Sequence, residues 1–386
     1  MILFVSHKYP PATGGMEKQS LELINGIQKY LPVHLLVYEG EGSRIRFFLK
    51  LHRRIREICK EHPEISIIHF NDGLMAACSL LHKIPGHLKR TVTVHGLDVV
   101  YPNFIYRRLI LPVFNRFDLI FAVSQATAQA CIERNIAAEK IVVVNNGVDT
   151  EIRPALARAE VEKLVLEKYH TDLKNRRILV VMGRPVKRKG FSWFIKNVLP
   201  SLDEQFLLLV IGPVSKKSTG SRFFQYLPAF VKTPVELFLG TPSDESKMEA
   251  LIKQSSMHNN VVRMGKLPFE EISAILGIAD AFLMPNIPVS GDMEGFGLVC
   301  LEAAMCGTKV YAAATGGITD AIKDGKNGML LPPAHRASWI YAINHKLQPR
   351  KASAADATET VNYTIQHFSW ERMTGEYLAH FLKLFP

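Results

Sequence analysis

The chain has little cysteine. Its 386 residues include five (Cys59, Cys78, Cys131, Cys300, Cys306), an odd number with no CxxC pair. That composition argues against a disulfide framework or a zinc site and leaves free thiols as the reading. No apolar run approaches the roughly 18 residues that a membrane helix needs. No DxD or other clustered carboxylate pattern occurs, which disfavours a metal-bridged diphosphate. No GxGxxG follows the first apolar run, which weakens the case for a dinucleotide-dependent oxidoreductase. No internal repeat is evident. Acidic residues are the minority sign, 36 against 47 Lys and Arg, for a formal net charge of +11. Such a balance suits acidic partners: nucleotides, anionic lipid or nucleic acid. The charge is spread over both halves and no nucleic-acid module is visible, so nucleic acid is not an expected partner. The opening MILFVSHKYPP is a short apolar run followed by polar residues. It reads as a first strand and not a signal peptide, with a cytoplasmic location as the expectation.

What is present is ordinary for a globular protein: 47% apolar and 22% charged residues, in a chain long enough for two domains. In the first half, runs at 2–6, 33–38, 65–70, 91–95, 119–123 and 141–144 have strand character. Stretches such as 16–30 and 124–135 have helical spacing between them. The rhythm restarts at 178–182 and continues through 206–211, 261–264, 281–284 and 309–312. Strands alternating with helices predict α/β architecture, a doubly wound parallel sheet in each half. The turn-rich stretch NNGVDTEIRP (145–154) sets the boundary, with domains at 1–150 and 151–368. A final amphipathic helix, 369–386, offers Trp370, Tyr377, Leu378, Phe381 and Leu382 for packing. The loop 214–234 has no reading.

The stretch MEGFGLVCLEA (293–303) carries the most chemistry. Glu294 lies in a glycine-rich loop and Glu302 about a turn inside the helix that follows. Between them Gly295, Phe296 and Gly297 would bring backbone N–H groups to a helix N-terminus, which favours anions. A phosphorylated ligand could rest there while the two carboxylates accept hydrogen bonds from hydroxyls at its ends. An ordinary loop-to-helix junction with two solvated glutamates is the plainer alternative. Ligands of open α/β sheets bind at the carboxyl ends of strands. In that position MGRPVKRKG places Arg184, Lys187, Arg188 and Lys189 ahead of Gly190. Arg184 offers a planar fork and Lys189 a point charge, a combination suited to linked phosphates; a solvated basic loop is the alternative. Gly14 and Gly15 stand ahead of the first helix, where paired glycines permit positive φ and close approach to a ligand, or simply a tight turn. TVTVHGLDV delivers His95 and Asp98 to a strand end, where a lone histidine also serves structure.

The motifs taken together resemble the family 4 glycosyltransferases, retaining enzymes of the GT-B fold, over essentially the whole length. They occur in family order: Gly14-Gly15, TVHGLD (93–98), VSQAT (123–127), NNGVD (145–149), GRPVKRKG (183–190), ADAFLMPN (279–286), the E-x7-E pair Glu294 and Glu302, and GGITDAIKDGKNG (316–328). The resemblance implies two Rossmann-like domains facing a cleft. An N-terminal domain, completed by the C-terminal helix, would bind the acceptor, and a C-terminal domain the nucleotide-sugar donor. It implies that Glu294 binds hydroxyls of the donor sugar near the reacting carbon and that Glu302 binds the ribose. Arg184 and Lys189 would hold the diphosphate with amides at Gly15 and at Phe296, Gly297 and Leu298. His95 would reach the donor sugar and sit beside the acceptor, and the base would lie near Gly265. The family often has Pro-Glu after the late glycine pair; here Thr319-Asp320 stand there, in a region expected to be peripheral.

The implied reaction moves a hexose from a UDP- or GDP-linked sugar to a saccharide or glycolipid hydroxyl with retention, without metal or cofactor. Cell-surface polysaccharide or lipopolysaccharide assembly is its expected setting. The basic loop and helix N-terminus would stabilise the departing phosphate, which itself serves as base for the acceptor. Domain closure about 145–154 would exclude water. A nucleotide-sugar epimerase on the same fold is the alternative reading. Glu294, placed in a loop, is expected to be removable without loss of fold. SRIRFFLKLHRRIREICK (43–60) carries seven basic residues against Glu57, with Ile45, Phe48, Leu51, Ile55 and Ile58 at helical spacing. It reads as a basic amphipathic helix, either packed on the sheet or bound to an anionic membrane surface at the inner face of the cytoplasmic membrane.

Overall fold

The computed structural model describes residues 1–79, 86–104, 106–214, 243–253, 260–349 and 354–385. The loop 214–234 therefore lies outside the described residues from 215 onward. The chain divides into two compact units, Met1–Gly147 with Phe368–Pro386, and Val148–His367.

The first unit holds strands β1 (Ile2–Ser6), β2 (Val33–Val37), β3 (Ile67–Phe70), β4 (Lys89–Val94), β5 (Leu119–Ala122) and β6 (Ile141–Val143). They pair in the order β2-β1-β3-β4-β5-β6, parallel throughout. All five residues of β1, ILFVS, are buried, as the centre of a sheet covered on both faces requires. One covering helix comes from the far end of the chain. Ser369 caps helix Trp370–Leu382 by accepting from the Arg372 amide at 3.1 Å. Tyr377 stacks on Phe121 at 4.2 Å and shares a 2.8 Å hydrogen bond with the Thr93 hydroxyl. Phe381 meets Phe4 and His69 edge-on. Leu382, expected in the packed face, is 53% exposed; Met373 is buried instead.

Helix Arg44–Glu61 likewise differs from its expected stripe. The buried residues are Phe47, Leu51 and Ile55, four apart, while Ile45 is 72% exposed. At about 100° per residue, Ile45 points nearly opposite to Phe47, so a single helix cannot bury both.

The second unit holds β7 (Arg177–Met182), β8 (Phe206–Ile211), β9 (Val261–Gly265), β10 (Ala281–Met284), β11 (Lys309–Ala313) and β12 (Met329–Leu331). The order is β12-β11-β10-β7-β8-β9, again parallel. β12 was not anticipated: three residues after the turn Gly325-Lys326-Asn327-Gly328 are too few to carry a periodic signal. In each sheet the chain reverses its direction of growth once, between β1 and β3 and between β7 and β10. At such points the loops leaving adjacent strands diverge and open a crevice at the carboxyl ends. Among the described residues no helix is long and apolar enough to cross a membrane.

Candidate functional site

The reversal in the second sheet brings the loop after β7 against the loop after β10. The first loop ends in a short turn, Lys187–Lys189, and Gly190 at φ 68°. A Cβ at Gly190 would stand 2.0 Å from the Pro285 carbonyl oxygen, so only glycine permits this approach. The Ile287 amide then donates to the Arg188 carbonyl at 2.9 Å, stapling the loops together.

Glu294 sits in that junction. Its Oε2 accepts from Lys189 Nζ at 2.9 Å, Arg188 Nε at 3.2 Å and Asn286 Nδ2 at 3.2 Å. Its Oε1 has no partner among the described residues. Burial alone would push this carboxyl up, but the charges of Lys189 and Arg188, with hydrogen bonds from Lys189 and Asn286, outweigh it and hold the group at about 2. Arg188 also reaches Asp292 through Nη1 at 3.2 Å. There burial wins, and the Asp292 carboxyl is raised in spite of Arg188. A cavity of about 60 Å³ opens beside the cluster, lined among others by Arg188, Asn286, Glu294 and Gly316.

A third loop braces the acid from behind. The Gly317 amide donates to the Glu294 carbonyl at 2.9 Å, and a Cβ at Gly316, φ 56°, would lie 2.7 Å from that oxygen. The late glycine pair is therefore not peripheral, contrary to the expectation; it holds the backbone of Glu294. Nor is Glu294 a free loop residue, since its side chain is only 14% exposed and is the counter-ion of two cations.

The remaining expected residues of this unit lie around it. Gly297, at φ 102°, caps helix Leu298–Met305, whose first-turn amides have no intrahelical acceptor except where Cys300 bonds Gly297. The Phe296 ring is buried, so only its backbone could serve a ligand. Glu302 falls one turn into the helix and is partly buried. Arg184 is exposed, and its guanidinium has no partner among the described residues. Gly265 ends β9 at φ 74° with open space on its Cβ side. No group of three or more His, Cys, Asp or Glu side chains among the described residues could hold a metal ion.

The first unit places its expected residues at carboxyl strand ends too. His95, after β4, donates from Nε2 to the Asn71 carbonyl at 2.8 Å, which leaves Nδ1 without a partner among the described residues. Asp98 does not face a ligand: its carboxylate accepts from the backbone amides of His95 at 2.9 Å and Gly73 at 3.1 Å. Gly14 is extended, φ 166°, so the expected positive φ is not used. What its missing side chain provides is room for Glu17, whose Oε2 lies 2.3 Å from where a Cβ would stand. The N-terminus of helix Gly15–Gln28 thus already carries a carboxylate, favourable with the helix dipole.

Sequence reasoning missed the roles of Arg188, Asn286 and Asp292. Arg188 was visible only as one of three consecutive cations. That it alone spans two acids follows from the loop pairing, which no local pattern reports. Asp292, two residues before Glu294, was the available hint.

Comparison with known proteins agrees with this architecture. The family profile "Glycosyl transferases group 1" matches residues 166–359, and "Glycosyltransferase Family 4" matches residues 13–152. The chain is 24% identical, over 99% of its length and 98% of the other, to a GDP-mannose-dependent alpha-(1-6)-phosphatidylinositol monomannoside mannosyltransferase of Mycolicibacterium smegmatis. It is 25% identical over 70% of its length to the Escherichia coli glycosyltransferase WcaL, named for colanic acid biosynthesis, of which the match spans only 58%. Among solved structures, Anabaena HepE in complex with UDP superposes with TM-score 0.72 at 19% identity, covering 100% of both chains. Sucrose-phosphate synthase of Thermosynechococcus elongatus does so with TM-score 0.73 at 17% identity, over 99% and 98%. With two doubly wound parallel sheets of GT-B type and a profile match over half its residues, the chain belongs to the group 1 glycosyl transferases of the family 4 kind.

Proposed function

We propose that the protein transfers a hexose from a UDP- or GDP-linked sugar to a hydroxyl of a saccharide or glycolipid acceptor, with retention at the anomeric carbon. The names of relatives, colanic acid biosynthesis for one and a lipopolysaccharide outer core galactosyltransferase for another, favour surface-polysaccharide or lipopolysaccharide assembly. One observation carries the reading: Glu294 is ionised, with Oε2 held by three donors while Oε1 is unpaired. A fixed carboxylate with one open oxygen accepts from a sugar hydroxyl and faces positive charge growing on the reacting carbon. Lys189 spends one of three donors on Glu294 and keeps the others for phosphate oxygens; Arg184 brings a whole guanidinium. Amides at the start of helix Leu298–Met305 take part of the same charge. Glu302 holds the ribose, with the base near Gly265. The departing phosphate takes the acceptor's proton.

The test is a thermal-shift and calorimetric screen of UDP, GDP and their hexose conjugates. A ligand of the native state raises the melting temperature. Binding of at least one nucleotide, weakened about tenfold or more in Glu302→Ala, is the expected result. No binding by any, or unchanged affinity in the variant, would overturn the assignment.

Helix Arg44–Glu61 supports a second element of the function, attachment to an anionic membrane surface. With Phe47, Leu51 and Ile55 turned inward, the exposed residues are Arg44, Arg46, Lys50, Arg53, Arg54, Arg56 and Lys60 against the acids Glu57 and Glu61, together with Ile45 (72%) and Leu49 (80%). One face serves the core and another, basic with two apolar side chains, serves lipid.

A further inference from the structure

The reversal of the first sheet, between β1 and β3, holds an arrangement that the proposed donor chemistry leaves unused. His7 leaves the end of β1 and Asp72 the end of β3. His7 Nδ1 lies 2.9 Å from Asp72 Oδ2, and the two side chains are 6% and 1% exposed. Asp72 is itself fixed, its Oδ1 accepting from the Met75 amide at 2.9 Å. Burial would raise the Asp72 carboxyl, but the hydrogen bond and charge of His7 outweigh it, so the group is lowered and ionised. A carboxylate only accepts, hence Nδ1 carries the proton and Nε2 is the nitrogen left for a ligand. Nε2 has no partner among the described residues and is not among the enclosed unpaired atoms, so it reaches the surface.

The same corner binds the second histidine. His95 donates to the carbonyl of Asn71, the residue before Asp72, and so also presents one bare nitrogen. The Asn71 side-chain amide is fully buried with neither atom paired among the described residues, which marks an under-satisfied polar corner. Two imidazoles tied to adjacent residues, each with one unpaired ring nitrogen, fit a ligand that brings hydroxyls, which both donate and accept. The buried Asp72 carboxylate beside them disfavours phosphate.

We propose that His7, oriented by Asp72, binds an uncharged hydroxyl of the sugar acceptor through Nε2 at the reversal point of the first sheet. His7 is a binding residue and Asp72 a positioning one. The tilted Phe48 ring, 5.3 Å from the imidazole, gives the ligand an apolar neighbour. The proposal deepens the glycosyl-transfer reading and rests on it.

The full chain with 15N-labelled histidine is titrated separately with methyl α-D-glucopyranoside, methyl α-D-mannopyranoside and inorganic phosphate. The His7 Nε2 resonance is followed, assigned through its loss in His7→Asn or, where that variant is unstable, His7→Gln. A saturable shift with a glycoside and none with phosphate is expected. A shift with phosphate alone, or none with any of the three, overturns the proposal. In His7→Asn the amide still donates to Asp72 but no ring nitrogen remains. KM for the glycoside as acceptor should rise about five- to tenfold, with nucleotide affinity and donor hydrolysis unchanged. An unchanged acceptor KM, or a parallel loss of nucleotide affinity, marks His7 as structural only. Absence of nucleotide binding in the wild type would instead strike the glycosyl-transfer reading, so the two failures are distinct.

Discussion

Replacing Glu294 by Gln removes one charge while keeping the side chain's shape, and the structure sets the size of the effect. The carboxyl is held at about 2 against an ordinary 4.5. At 1.36 kcal/mol per unit, the folded environment favours the ionised over the neutral form by about 3 kcal/mol more than the unfolded chain does. The folded pKa lies below the unfolded one, so this stabilisation is complete above pH 4.5 and is lost as pH falls toward 2. Glu294→Gln should therefore destabilise the protein by about 3 kcal/mol at pH 7, because Lys189 and part of the Arg188 charge remain buried without their counter-ion. Urea unfolding followed by tryptophan fluorescence in a Trp370→Phe background reads this unit, since Trp193 and Trp339 pack within it at 6.3 Å and Trp370 belongs to the other. The gap between variant and wild type should be constant from pH 7 to 5 and narrow below 4.5. A variant as stable as wild type at pH 7, or a gap undiminished at pH 3, would refute the charge-coupling argument. Transfer activity should be lost at every pH.

The two proposed phosphate ligands should separate. Arg184→Ala, at an exposed residue with no described partner, should cost nucleotide affinity by of order 2 kcal/mol without changing the melting temperature, whereas Lys189→Ala should lower both. Activity should persist in excess chelator, since these cations serve the diphosphate; loss restored by magnesium would contradict that. Truncation before Ser369 uncovers Phe4, His69 and Phe121 and removes four buried apolar side chains, Trp370, Met373, Tyr377 and Phe381, at roughly 2 kcal/mol each, so insoluble protein is expected; a soluble truncated chain with a cooperative melt would count against the packing account. Sedimentation with anionic but not neutral vesicles should be lost when Arg53, Arg54 and Arg56 become Ser and weaken with salt; equal recovery with both vesicle types would leave the helix a purely structural one.

Local pattern determined much of this protein. Apolar runs such as ILFVS and FLLLVI read as buried strands because a parallel strand covered on both faces has no polar side to show. Their alternation with helices implied doubly wound sheets, and Glu294, Glu302, Arg184, Lys189 and His95 stood at strand or helix ends in the sequence itself. Tertiary structure decided the rest, because it concerns pairs far apart in the chain. Whether Arg188 or Lys187 meets Glu294 depends on Gly190 seating against the Pro285 carbonyl. That the late glycines support Glu294 depends on β11 lying beside β10. Which face of helix Arg44–Glu61 turns inward was settled by tertiary partners such as Tyr38, whose ring meets Phe47 at 5.6 Å, since Phe47 and Ile45 are equally apolar. His7 and Asp72, 65 positions apart, form one hydrogen-bonded pair only because β1 and β3 are neighbours. A strand reports its own burial through its residues, but the choice of its neighbour is a long-range contact, and no local periodicity encodes it.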